Sequence, residues 1–147
     1  MILLDNKIQA LRDFRDTLGQ IIKTKIEQDT SIIIDMNANR QLYQQGINSE
    51  GEDIMSYAPY RAKTIKIKLT KGQPTDRVTL RDTGDFHTSF EVVADETQFK
   101  IDATDWKAQE LVAKYGKEIL GLTEEHVHEL IWQYLYPKLI TELNNRL

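Results

Sequence analysis

Asp82-Thr83-Gly84 is the tripeptide on which catalysis could be built, because a carboxylate on a tight turn is how aspartic-type hydrolases present their acid–base group. Ile119-Leu120-Gly121, ahead of a helix, is similar to the second turn such enzymes carry. The chemistry requires two carboxylates that share one proton in a shielded cleft, which like-charge repulsion makes possible. The residues around Asp82 work against it. Arg81 stands where an apolar strand residue belongs, and Asp85 adds a third carboxylate beside the pair. The span from Gly84 to Ile119 is also short for a sheet and a covering flap. Asp82, Thr83 and Gly84 therefore read as a structural turn, with Asp82 bonding its own backbone and Gly84 supplying a positive φ.

The other chemistry-bearing residues are scattered. His126 and His128 are two apart, which on a helix sends them to nearly opposite sides and denies them a shared metal. His87, beside Phe86, reads as a half-exposed strand residue. The seven glycines stand singly, so no phosphate-binding loop is predicted. Ser31, Ser49, Ser56 and Ser89 lack the setting of a nucleophile elbow. With no cysteine, disulfides, thiolate zinc sites and cysteine nucleophiles drop out together. The expectation is a non-enzymatic chain with no catalytic residue, no metal and no cofactor.

Charge is unevenly distributed. Arg61, Lys63, Lys66, Lys68 and Lys71 occur with no acidic residue among them. From Asp82 to Glu110 there are eight acidic residues, opposed only by Lys100 and Lys107. A net charge of −4 argues against a dedicated nucleic-acid binder. The same basic residues suit a solvated face, an interface with a complementary neighbour, or a non-specific DNA contact assisted by Tyr57 and Tyr60.

These residues have to be positioned by one domain, residues 1–147. With 40% hydrophobic and 29% charged residues, the chain can bury a core and is expected to be soluble. Met1-Ile2-Leu3-Leu4 is too short for a signal-peptide core before Asp5, Lys7, Arg12 and Asp13 intervene. No stretch approaches the roughly 20 apolar residues of a membrane span.

Leu4, Ile8, Leu11, Phe14, Leu18, Ile22 and Ile26 keep helical spacing and predict a long helix over 5–27, capped by Asp5 and tolerating Gly19. Residues 30–45 mix strand-like Ile32-Ile33-Ile34 with a helical run ending at Gly46, and read as helix. Asn48 to Gly51 is a turn, and Tyr57 to Tyr60 is extended around Pro59. Ile65, Ile67 and Leu69 alternate with Lys66 and Lys68 and predict a strand, closed by the loop 72–76. Strands are expected over 86–94 and 98–103, joined by Asp95-Glu96-Thr97, then a helix over 106–115 ended by Gly116. Thr123 caps the last helix, which should bury Val127, Leu130, Ile131, Tyr134 and Leu135 and kink or restart at Pro137. The class is α+β: a small antiparallel β-sheet flanked by a long N-terminal helix and a C-terminal helix.

The order of the short motifs adds a resemblance. Leu80 to Phe90 is followed by a two-strand segment, then Ala113-Lys-Tyr-Gly116, then Ile119-Leu-Gly-Leu-Thr-Glu-Glu125. The sequence resembles the tailed-phage virion-morphogenesis or tail-completion family, also found in prophages. Thr83, Gly84, Phe86 and Ser89 match its first motif, and Gly121, Leu122 and Thr123 match its last, across residues 60–147. Asp85 and the compact Lys114–Glu118 stretch depart from the family pattern. The resemblance implies a structural virion protein at the head–tail connector or neck, or in tail completion. It would form a homomeric ring in contact with other virion proteins, after assembly in the host cytoplasm. An aspartic-type hydrolase and a stand-alone cytoplasmic binding module are the alternatives.

Overall fold

The computed structural model describes residues 2–147. Helices occupy both ends of the chain, and the sheet between them is a two-stranded antiparallel hairpin, as expected for the α+β class. Helix α1 (Ile2–Gln28) starts ahead of Asp5, which therefore lies in its first turn, where the helix dipole favours a carboxylate, and not at the cap. Its apolar stripe is only half used. Ile26 is buried and Phe14, Leu18 and Ile22 are half-buried, whereas Leu4, Ile8 and Leu11 face outward.

Residues 30–45 are helical as predicted: α2 (Thr30–Ile34) runs directly into a π-helical stretch, Asp35–Gln45. Gly46, at φ 65°, ends it. Asn48 makes the expected turn, its Oδ1 accepting the N–H groups of Glu50 and Glu52, each at 3.0 Å. Tyr57 is not extended. It closes the one-turn helix α3 (Ile54–Tyr57), capped by Asp53, whose carboxylate accepts the Met55 N–H.

The strand predicted at Ile65–Leu69 is instead helix α4 (Ala62–Thr70). Five alternating residues fit either period, and two features decide for the helix. Lysine, alanine and leucine are good helix formers. Gly72, at φ 69°, closes a Schellman motif in which the Gln73 N–H donates to the Lys68 carbonyl at 2.8 Å and the Gly72 N–H to the Leu69 carbonyl at 3.1 Å. The inward face becomes Thr64, Ile65 and Lys68, leaving Ile67 and Leu69 exposed.

The strand expected from residue 86 begins at Phe90. Gly84, at φ 93°, opens a single helical turn, α5 (Asp85–Thr88), which brings Phe86 and Phe90 edge-to-face with ring centroids 4.9 Å apart. His87 consequently sits on a helical turn and not on a strand. Strands β1 (Phe90–Ala94) and β2 (Phe99–Ala103) pair from Phe90↔Ala103 to Ala94↔Phe99. Asp95 shapes the turn between them, its Oδ1 accepting from the Thr97 and Gln98 N–H groups at 2.7 and 2.8 Å.

That hairpin explains Gly19. A Cβ on Gly19 would lie 2.8 Å from the Glu96 carbonyl oxygen and 3.2 Å from its Cβ, so the turn seats against bare α1 backbone. Gly19→Ala gains about 1 kcal/mol of helix propensity but must displace backbone, an overpacking cost of about 1–3 kcal/mol. The expected result is a lower melting temperature. A higher one would show that the hairpin does not rest on α1.

Helix α6 (Ala108–Tyr115) ends at Gly116 as predicted and leads through a 3-10 turn, Lys117–Ile119. Thr123 caps α7 (Glu124–Glu129), its hydroxyl accepting the His126 N–H at 3.2 Å. Pro137 is accommodated by a second π-helical stretch, Leu130–Leu135, in which the Tyr136 N–H reaches back to the Ile131 carbonyl. The chain then restarts as α8 (Tyr136–Arg146) with the proline in its first turn. The wider π turn rotates the predicted stripe. Leu130 and Leu135 are buried, but Val127 and Ile131 are exposed, and His126 takes the inner position. The core is formed by Ile33, Met36 and Leu42 of the α2–π segment with Ile54, Val78, Ile119 and Leu130.

Candidate functional site

The Leu80–Phe86 motif does not stand on an open turn; it walls a pocket of about 220 Å³. Tyr60 and α4 (Thr64, Lys68) form one side, α6 (Leu111, Tyr115) another, and Asp105 and Lys107 lie at the rim. Its surface is mainly apolar. One residue in the wall is strained: Leu80, not a glycine, is held at positive φ, 55°. For a branched side chain that conformation costs on the order of 1–2 kcal/mol and persists only where neighbours impose it.

Thr79 imposes it. Fully buried, Thr79 donates its N–H to the Tyr60 hydroxyl at 3.1 Å, and its Oγ1 accepts the Arg81 N–H at 3.3 Å. Its carbonyl lies 2.9 Å from His87 Nε2. A carbonyl only accepts, so His87 carries its proton on Nε2 and donates. Burial pushes the His87 pKa down to about 4, and the nearby Arg81 charge acts in the same direction. His87 is thus a neutral structural donor that fixes the pocket wall. Tyr60, Thr79, Leu80 and His87 form this clamp, and nothing in their spacing along the chain signals it.

The five basic residues do not share one face. Lys68 points inward: it is only 9% exposed, and its ammonium sits 5.0 Å from the centre of the Tyr60 ring. Among the described residues no carboxylate lies within 4.0 Å of it. Lys71 instead pairs with Asp82 at 2.7 Å. Arg61, Lys63 and Lys66 are exposed.

Asp82 does not bond its own backbone; that local bond belongs to Thr83, whose hydroxyl accepts the Asp85 N–H at 3.3 Å. The Asp82 carboxylate accepts from Lys71, and Gln73 donates to it and to its carbonyl. The Lys71 and Gln73 hydrogen bonds hold its pKa below the ordinary aspartate value. An aspartic dyad needs one carboxyl pushed the other way. Asp82→Asn is accordingly expected to leave any peptidase signal of a purified sample unchanged, with no pepstatin-like inhibitor bound. Pepstatin-sensitive cleavage that vanishes in the variant would restore the hydrolase reading.

Ile119-Leu120-Gly121 is a clasp for the π segment. Asn37 donates to the Ile119 carbonyl at 3.0 Å and accepts the Gly121 N–H at 2.9 Å. Gln41 donates to the Gly121 carbonyl at 2.9 Å, and its Oε1 accepts from Thr123 N–H and from His126 Nδ1 at 2.9 and 2.6 Å. His126 is buried there while His128 is exposed, so the two histidines do face opposite ways. Among the described residues no group of three or more His, Cys, Asp or Glu could hold a metal ion, and no helix is long and apolar enough to cross a membrane.

No family model, curated protein or solved structure matches the chain.

Proposed function

We propose that this chain is a non-enzymatic structural virion protein of a tailed phage or prophage. It acts at the head–tail connector or neck, or in tail completion, as a homomeric ring. The family placement rests on the ordered motifs between Leu80 and Glu125. The observation that carries the assembly role is the uncovered half of α1. Leu4, Ile8 and Leu11 are 51%, 38% and 46% exposed, although they continue the stripe that buries Ile26. A continuous apolar stripe left open by the chain's own fold is a surface for another protein.

Copies of itself and other connector, neck or tail proteins are the partners this reading requires, with the virion as final location and the host cytoplasm as the place of assembly. Exposed Arg61, Lys63 and Lys66 would provide non-specific phosphate contacts where such a ring surrounds DNA. The test is the particle. Mass spectrometry of virions or induced prophage should find several copies per particle, and deletion should leave heads and tails unjoined or tails unfinished. Absence from particles together with unchanged infectious yield would overturn the reading.

A further inference from the structure

The backbone of β2 is paired on one side only. At the two ends of the hairpin the Asp95 N–H donates to the Gln98 carbonyl at 2.9 Å and the Thr104 N–H to the Ser89 carbonyl at 3.2 Å. Continued through the register, that alternation makes Glu91↔Asp102 and Val93↔Lys100 the pairs that exchange hydrogen bonds. Phe99, Ile101 and Ala103 therefore turn their N–H and C=O groups away from β1. Among the described residues those of Phe99 and Ile101 meet no partner, and the Ala103 N–H meets only the adjacent Asp102 carboxylate, at 2.9 Å.

An unpaired strand edge is a template for another strand. Helices α1 and α2 pack against β1, whereas among the described residues no strand other than β1 pairs with β2. No bulge or proline interrupts Phe99–Ala103, and Ile101 anchors the strand in the core.

We propose that β2 pairs with β2 of a second copy, antiparallel about a two-fold axis at Ile101, joining the two hairpins into one sheet. The side chains select this partner and this register. Centred on Ile101, the pairing sets Lys100 opposite Asp102 of the second copy, and Asp102 opposite its Lys100. Both fall at non-hydrogen-bonded positions, where side chains approach most closely and opposite charges stabilise. Ile101 meets Ile101 of the second copy and exchanges both backbone hydrogen bonds with it. Phe99 meets Ala103, a large side chain against a small one.

The hairpin by itself leaves these charges badly placed. Asp102 lies directly across from Glu91, a like charge, and Lys100 lies across from Val93. Among the described residues neither Lys100 nor Asp102 has an ion-pair partner. A second β2 supplies the missing counter-charge to each. The other edges do not. A β1 strand continuing the same register would set a second Glu91 beside Asp102, and β1 against β1 would set Glu91 beside Val93. A parallel β2 would place lysine beside lysine.

The contact is isologous and closes at two copies. It does not depend on the virion reading, and Leu4, Ile8 and Leu11 of the α1 stripe take no part in it.

The test uses the full-length chain. Sedimentation of the wild type over increasing concentration should show a monomer–dimer equilibrium. Lys100→Asp and Asp102→Lys each put like charges at both cross-strand contacts and should each weaken the dimer about tenfold or more. An equal mixture of the two variants should recover it, because one chain then presents two aspartates to the two lysines of the other. The double variant should recover it alone. In the wild type, hydrogen exchange of the Phe99 and Ile101 amides should slow as the dimer fills.

A wild type monomeric at every concentration would overturn the pairing, as would single variants that associate like the wild type or a mixture no more associated than its parts. Exchange at Phe99 and Ile101 that does not change with concentration overturns it without any variant, so the test survives a substitution that unfolds the hairpin. Copy number in the particle judges the virion reading separately, and either can fail while the other stands.

Discussion

Lys138→Met is expected to lower stability by about 1–3 kcal/mol, because it strands the buried Asp29 carboxylate while the partly exposed Lys138 ammonium is screened by solvent. Asp29 sits at the break between α1 and α2, its side chain only 4% exposed, and its Oδ1 accepts from the Lys138 ammonium. Among the described residues its Oδ2 has no partner. The pair joins the first helical break to α8, more than a hundred residues away, and among the described residues no other side chain is in hydrogen-bond contact with the Asp29 carboxylate. Urea unfolding at neutral pH measures the loss. Asp29→Asn in the Lys138→Met background should recover a large part of it, since the stranded charge is then gone. A midpoint unchanged by Lys138→Met would mean that water reaches Asp29 and the pair contributes nothing.

Acid should begin to weaken this protein before its carboxylates titrate. His87 has a folded-state pKa of about 4 against an ordinary value of 6.5, the cause being burial first. Between those values the unfolded chain binds the proton and the folded chain does not, so stability rises with pH across that window. It is fully present above about pH 6.5 and falls by on the order of 3 kcal/mol as pH drops to about 4, at 1.36 kcal/mol per unit. His126, depressed by burial and by the Arg40 charge, adds to the loss with the same sign. His87→Gln keeps an N–H for the Thr79 carbonyl but cannot titrate. The expected outcome in urea melts from pH 4.5 to 7.5 is a modest loss at pH 7 and a distinctly flatter slope below pH 6.5. An unchanged slope would place the acid sensitivity elsewhere.

Local signals in the chain determined the α+β class, the two terminal helices, the β1–β2 hairpin, the Gly46 and Gly116 helix ends and the Thr123 cap. Each depends on a few adjacent residues: a period of 3.6, a side-chain oxygen beside an N–H, or a glycine that tolerates positive φ. Where those signals competed, the structure decided. Ile65–Leu69 satisfies both periods over five residues, and the Gly72 closure settles it as helix.

Other features belong to tertiary structure alone, because their partners lie far apart in the chain. Gly19 reads as a tolerated defect until Glu96 is seen against it. The outward half of α1 reads as core, because periodicity shows that a face is apolar and not whether anything covers it. Lys68 belongs by composition to a basic run, and only the α4 register turns it into the pocket wall. The Leu80 strain has no sequence signature, since leucine adopts positive φ only under constraints set by Tyr60, Thr79 and His87 together. Side-chain types and spacing settled which elements form. Which of their faces meet, and which stay open for a partner, was decided by packing across the fold.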